Sequence, residues 1–301
     1  MFPIENMDMQ INIVSDWFSS FLLIDLWINI VLDYCFHSSS LAERHFERVA
    51  RSDPIGLLKQ ARKCLFRMYP DGLRQDSSNP NPINAWNFGL QMVALNYQND
   101  DQQMSLCYGK FLDNGSCGYV LKPNYLLDLQ KSQFNPSDYL SKPSKESYSK
   151  DILEYPQRLI LTIISGQFLS RSSETTDDIP DPYVVVSTHG IQCDQQIYKT
   201  KFIENNGFNP QWNETFIFDI HFPQMCLIRF DVYDYDVFSR DDRLAYFCLP
   251  MTAMQTGLIF SFSKYFQLKS ILGYRHIHLR AKNNNPTYST LFVHVAIESI
   301  R

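Results

Sequence analysis

The hydrophobic positions change their period part-way along the chain. In 41–66, LAERHFERVARSDPIGLLKQARKCLF, apolar residues recur at helical spacing, and the pattern breaks at Asp53-Pro54, where proline ends one helix and can open the next. The runs LQMVALNYQ (90–98) and CGYVLKP (117–123) are short and apolar, and both predict buried strands. Strand, loop, helix and strand in this order predict βα units and a largely parallel sheet. Residues 130–157 carry prolines, serines and charges without a period and read as a linker. Beyond them the period becomes two. Leu159, Leu161 and Ile163 fall on one face of RLILTIISG, and Phe216, Phe218 and Ile220 on one face of ETFIFDIHF. CLIRFDVYD (226–234) and TLFVHVAIES (290–299) alternate similarly. Several short strands separated by Pro, Gly and Asn turns predict an antiparallel β-sandwich. The fold class is thus α/β followed by all-β.

Residues 17–36, WFSSFLLIDLWINIVLDYCF, are the most apolar stretch near the N-terminus, but Asp25, Asn29 and Asp33 interrupt them. A carboxylate at a bilayer centre costs roughly 2.5–3.5 kcal/mol on insertion scales. No Lys or Arg precedes the stretch, which argues against a signal peptide. A buried segment is the expectation.

At 301 residues the chain has room for two domains, with 45% hydrophobic and 20% charged residues. A net charge of -5 argues against nucleic acid as a partner. The seven cysteines form no CxxC pair, and free thiols in a reducing, cytoplasmic setting are expected. The charge pattern of the second half is more informative. DDIPDPYVVV sets Asp177, Asp178 and Asp181 before a strand, and YDYDVFSRDD sets Asp234, Asp236, Asp241 and Asp242 between two strands. If both loops share one end of the sandwich, the carboxylates converge on a hard cation such as Ca2+, which takes six to eight oxygen ligands. The other reading is that aspartate favours turns.

Longer matches carry a family resemblance. NNGFNPQWNETFIFDI, LIRFDVYDYD and GYRHIHL resemble the C2 domain of the phosphoinositide-specific phospholipases C, the delta type especially. RMYPDGLRQDSSNPNPINAWNFGLQMVALNYQ and NGSCGYVLKP resemble that family's Y-box. The resemblance covers roughly residues 37–299. It implies the second half of a TIM-like barrel over 37–129, the linker at 130–157, and a C2 sandwich over 158–299. It also implies an enzyme that cleaves phosphatidylinositol 4,5-bisphosphate to diacylglycerol and inositol 1,4,5-trisphosphate, peripheral at membranes. In the family the X half of the barrel supplies two catalytic histidines and the catalytic calcium ligands. No segment here resembles that half, and His276 and His278 sit in a strand, so no catalytic residue is assigned. The chain by itself is expected to be inactive and to need the missing X half as partner. The alternative is a non-catalytic, calcium-dependent lipid-binding or scaffold protein.

The carry-over is specific. Arg67 and Tyr69 match the R-[IM]-Y-P motif at the barrel mouth, where they would hold a ring phosphate and pack on the inositol. Ser40, in SSLAE, matches a phosphate-donating serine, or else it caps the helix that begins at Leu41. In the C2 domain the Ile179 carbonyl, Asp181, Asn205, Asp234, Asp236 and Asp242 match calcium-ligand positions, with anionic phospholipid as the surface bound. Two departures stand out. DRLA (242–245) replaces the family's DFIG, leaving Arg243 beside Asp242 as a competing ion-pair partner. The apolar stretch 258–272, LIFSFSKYFQLKSIL, is inserted before YRHIHL and is expected to form a loop outside the core.

Overall fold

The computed structural model describes residues 38–127, 134–139, 156–169, 179–237, 240–254, 273–281 and 284–300. Residues 1–36, most of the linker, Asp177, Asp178 and the insertion at 258–272 lie outside the described residues.

The first part is a small α/β layer. Strand β1 (Ser38–Ala42) runs into helix α1 (Glu43–Ser52), and α2 (Pro54–Lys63) leads to β2 (Leu65–Tyr69). The two helices meet at Asp53, as the sequence predicts. The Asp53 side chain accepts from the Gly56 N–H at 2.8 Å, and Pro54 occupies a first-turn position that has no partner for an N–H. β1 and β2 pair in parallel, and β2 pairs with the two-residue β3 (Met92–Val93). One face of this sheet is sealed. Leu41, Phe66 and Met68 pack with Phe46, Val49 and Ala50 of α1 and Leu57 and Ala61 of α2. Two expected strands differ. Of 90–98 only Met92 and Val93 pair, and Met92 is exposed. Residues 117–123 form no strand: Asn114, Gly115, Ser116 and Gly118 all take positive φ, which twists the chain out of extended geometry, and Tyr119 and Leu121 point into solvent. Beyond them lie α3 (Pro82–Asn87), α4 (Gln102–Lys110) and α5 (Asn124–Leu127).

The second part is an all-antiparallel β structure in the strand order β6-β5-β8-β9-β10-β11-β4-β7. The strands are β4 (Gln157–Gln167), β5 (Pro182–His189), β6 (Ile197–Lys199), β7 (Gln211–Ile220), β8 (Leu227–Asp234), β9 (Asp242–Pro250), β10 (Tyr274–Arg280) and β11 (Pro286–Ser299). A single pair, Arg280 with Tyr246, joins β9 to β10, so the sheet folds over into two layers. Leu159, Leu161, Ile163, Val184, Val186, Phe218, Ile228, Phe230, Val232, Leu291 and Val293 fill the space between them. The period-two faces read from β4, β7 and β11 are the faces found inside.

β8 differs from the simple alternation, because both its faces are buried. Its outer face carries Leu227, Arg229, Asp231 and Tyr233, and α4 covers it. Gly109 allows the approach: a Cβ there would stand 2.4 Å from the Cys248 Sγ and 2.9 Å from the Cys248 carbonyl carbon. Asp100 receives Arg243 at 3.3 Å and the Tyr246 hydroxyl at 3.3 Å. The Asn87 amide donates to the Gly190 carbonyl at 3.1 Å. Phe134, inside the segment read as linker, is fully buried with Tyr125 and Phe222. The two parts are therefore pinned together by packing as well as by charge.

Candidate functional site

Ser40 lies mid-strand in β1, its Cα opposite that of Arg67 in β2, and Ala42 lies opposite Tyr69. Side chains alternate along both strands, so Ser40, Arg67 and Tyr69 project from one face while Leu41, Phe66 and Met68 fill the other. The Arg67 guanidinium carbon sits 5.9 Å from the centroid of the Tyr69 ring, within cation–π range. The helix-cap reading of Ser40 does not hold. α1 begins at Glu43, and its N-cap position is Ala42, which has no side-chain cap.

The loop after Tyr69 is anchored beside this face. Arg74 forks onto Glu43 of α1 with Nε–Oε2 and Nη2–Oε1 distances of 2.7 and 2.6 Å, the two-pronged geometry that suits guanidinium and carboxylate. Arg44 reaches Asp71 at 2.8 Å. Asn79 and Asn96 tie the loop to the segment after β3 through reciprocal amide bonds. Glu43 and Arg74 were not singled out in the sequence. Their signal is the interval between a first-turn helix acid and a loop arginine, which has no local period.

The exposed face is itself informative. Leu65 is 57% exposed, and Tyr69 and Met92 are each 39% exposed. Parallel sheets are normally covered on both faces, but among the described residues no element covers this one.

At the other end, the acidic loops do come together. The Asp181 N–H donates to Asp234 Oδ1 at 2.7 Å, the Asn205 N–H to Asp181 Oδ1 at 2.6 Å, and the Tyr235 N–H to the Asp181 carbonyl at 3.1 Å. Asp234 pairs across the ladder with Asp242. Asn205 takes φ of 47° to close its turn. Asp241, part of the acidic loop but not matched to a ligand position by the family resemblance, accepts from the Tyr183 hydroxyl at 2.6 Å and from the Asp236 N–H at 3.2 Å. Burial, then this bond to a carboxylate, raises the Tyr183 pKa. Arg243 does not pair with Asp242. It stacks on Tyr246 at 4.7 Å and reaches Asp100.

The donor set is all oxygen, which fits calcium. The backbones converge, but the carboxylate oxygens are partly committed to N–H donors, and among the described residues they do not form a cluster at ligand spacing. The cluster that does form is Cys193, Asp194 and His221, fully inside the protein. Asp194 there accepts from the His221 N–H and ring Nδ1 and from the Phe222 N–H, at 2.7–2.8 Å. Its two oxygens are used in holding a turn. Apolar side chains crown the acidic end: Phe202 stacks on Tyr235 at 4.4 Å, Phe168 meets Phe208 edge-on at 5.0 Å, and Ile179, Phe208 and Val237 are 56, 70 and 72% exposed.

Residues 29–125 match the family model of the phosphatidylinositol-specific phospholipase C Y domain, and residues 157–264 match the C2 domain. The delta-4 1-phosphatidylinositol 4,5-bisphosphate phosphodiesterase of Homo sapiens is 38% identical over 265 residues, and the delta-1 enzyme of Rattus norvegicus 36% over 264. The chain belongs to the phosphoinositide-specific phospholipase C family. Each alignment spans 87% of this chain and 31 or 32% of the relative, so the chain corresponds to about a third of those phospholipases C. Among solved structures, L. pealei PLC21 superposes with a TM-score of 0.72 at 28% identity, over 95% of this chain and 32% of that one. β10 and β11 lie beyond the matched C2 span and complete the same sandwich. Among the described residues no helix is long and apolar enough to cross a membrane.

Proposed function

We propose that this chain supplies the phosphate-recognising and membrane-engaging portion of an enzyme that cleaves phosphatidylinositol 4,5-bisphosphate to diacylglycerol and inositol 1,4,5-trisphosphate. One observation carries the reading: Ser40, Arg67 and Tyr69 share the bare face of a three-stranded parallel sheet whose other face is sealed by helices. A guanidinium fork, a hydroxyl and an aromatic ring together suit a phosphorylated polyol. The sheet is read as the second half of a TIM-like barrel spanning 37–129. The X half is the partner that covers the bare face and brings the reacting histidines. Arg67 holds a ring phosphate, Ser40 donates to a phosphate, and Tyr69 packs on the inositol. Strand ends at a barrel mouth are where such folds hold their ligands.

The C2 sandwich, 158–299, is the membrane-facing module. Ca2+ would be held by the Ile179 carbonyl, Asp181, Asn205, Asp234, Asp236 and Asp242, and it would give an acidic rim an affinity for anionic lipid. Phe202, Phe208 and Val237 then meet the interfacial region. The protein works at the cytoplasmic face of a membrane as a peripheral protein.

The test is reconstitution. The chain alone should release no inositol phosphate. Mixed with the X half of a delta-type relative, it should do so. Arg67→Ala should then lower kcat/KM about 10–100-fold, the equivalent of roughly 1.5–3 kcal/mol for a charged hydrogen bond. Activity unchanged by Arg67→Ala would remove Arg67 from the site. Calcium-dependent liposome binding with no activity in any mixture would favour the scaffold reading.

A further inference from the structure

We propose that a cavity between the two domains, distinct from the inositol face and the acidic rim, binds a small amphiphile with a single anionic head. The cavity measures about 480 Å3 and lies between α4 with its following loop and strands β9 and β10. That volume falls within the range of small-molecule sites, about 300–1,000 Å3. Its wall is mainly apolar: Phe111 and Leu112 come from the Y side, and Phe247 and Cys248 from the C2 side.

Arg280 gives the cavity its selectivity. It is the last residue of β10, set where the register of β10 on β11 shifts between His278 and Arg280. A bulge of this kind re-aims the side chain that follows it. Here Arg280 lies opposite Pro286 of β11 on one side and opposite Tyr246 of β9 on the other, and Arg280 and Tyr246 both line the cavity. The Arg280 side chain is half-buried and makes no hydrogen bond or ion pair with any described residue. The nearby carboxylate of Asp100 is already taken by Arg243 and Tyr246. Cys107, also on the wall, has its thiol pushed up to about 11 by burial, so it stays neutral and does not balance the charge. An unmatched guanidinium over an apolar wall calls for a carboxylate or similar anion carrying a hydrocarbon body. Such a ligand would touch both domains at once and so tighten their junction.

Dodecanoate is the probe, with dodecanol and dodecyltrimethylammonium as neutral and cationic controls, titrated into the full chain below their critical micelle concentrations. Expected are saturable binding of dodecanoate by calorimetry, a rise in the unfolding midpoint, and at least tenfold weaker binding of the two controls. Arg280→Gln should weaken dodecanoate at least tenfold and leave dodecanol unchanged, while Arg280→Lys should retain the preference for the anion. The bare β1–β2 face can also adsorb hydrocarbon, but it would do so independently of Arg280. Equal binding of all three probes, or dodecanoate binding unaffected by Arg280→Gln, overturns the proposal. If Arg280→Gln does not fold, Leu112→Trp, which narrows the cavity and keeps the charge, reads the same point: unchanged dodecanoate affinity in that variant overturns it.

Discussion

Gly109 offers a quantitative test of how the two domains are joined. Two effects of Gly109→Ala oppose each other. Alanine is a better helix former than glycine by about 0.8–1.0 kcal/mol in a helix interior, and Gly109, one residue from the end of α4, would gain at most that. Against it, the new methyl would sit 2.4 Å from the Cys248 Sγ, 2.8 Å from its Cβ and 2.9 Å from its carbonyl carbon. Ordinary carbon contacts lie near 3.5–4.0 Å, so α4 must retreat from β9 by about 1 Å. A gap of that size forfeits a quarter to a half of each dispersion contact along the seam. Overpacking of this kind typically costs about 1–3 kcal/mol. The steric term outweighs the propensity term over most of its range, and a net loss of up to about 2 kcal/mol is expected.

The assay is urea unfolding of the full chain followed by tryptophan fluorescence, with thermal melting as a second readout. A domain of this size shifts its midpoint by about 2–4 °C per kcal/mol. Gly109→Val should cost more than Gly109→Ala. Cys248→Ala combined with Gly109→Ala should recover only part of the loss, because it removes the Sγ contact and leaves the Cβ and carbonyl-carbon contacts in place. A Gly109→Ala protein as stable as the parent, or more so, would refute the close seam between α4 and β9.

Asp194→Ala should destabilise strongly, by about 3–5 kcal/mol in urea unfolding, because it strands the His221 and Phe222 N–H groups inside the protein; a loss under 1 kcal/mol would mean water replaces the carboxylate. Arg74→Ala removes a two-pronged pair and should cost about 1.5–3 kcal/mol, with faster proteolysis within residues 70–79 as the local signature; unchanged cleavage would show that Glu43 does not anchor that loop. Burial holds the Lys122 amine down at about 8, against 10.5 when free, so between those values the unfolded chain carries a proton that the folded one has lost. Stability should therefore rise with pH across that window, and the rise should be absent in Lys122→Met; parallel pH profiles for the two proteins would refute the shift. Asp236→Asn should weaken calcium-dependent sedimentation with phosphatidylserine vesicles several-fold, and equal sedimentation with calcium or chelator would remove calcium from the rim.

How much of this was legible in the residues depended on what each side chain faces. Local signals carried well. Asp53-Pro54 marked the boundary between α1 and α2, and Leu159, Leu161 and Ile163 marked the inner face of β4. Ser40, Arg67 and Tyr69 were legible as a motif, and the parallel register explains why they share a face. Two runs misled. Residues 90–98 have the composition of a buried strand, but only two of them find a partner. Residues 117–123 are apolar, but the positive-φ turn before them turns them outward. In both cases a strand depends on its neighbour as much as on its own residues.

β8 shows the deeper reason. In LIRFDVYD, Arg229 and Asp231 alternate with Ile228, Phe230 and Val232, and alternation of charged with apolar residues ordinarily means one wet face and one dry face. Yet the Arg229 and Asp231 side chains are 5 and 4% exposed, 2.6 Å apart beneath α4. Burying such a pair earns little stability by itself, since desolvation offsets the attraction, so it is not retained as a source of binding energy for the seam. Burial raises the Asp231 pKa, with Arg229 and then Arg243 opposing the rise. The pair therefore acts on geometry: any shift of the surrounding elements that parted the two side chains would leave each charge buried without its partner. That penalty singles out one docking of the Y domain on the sandwich. The sequence pattern could not reveal it, because the element that dries this face lies more than a hundred residues earlier in the chain.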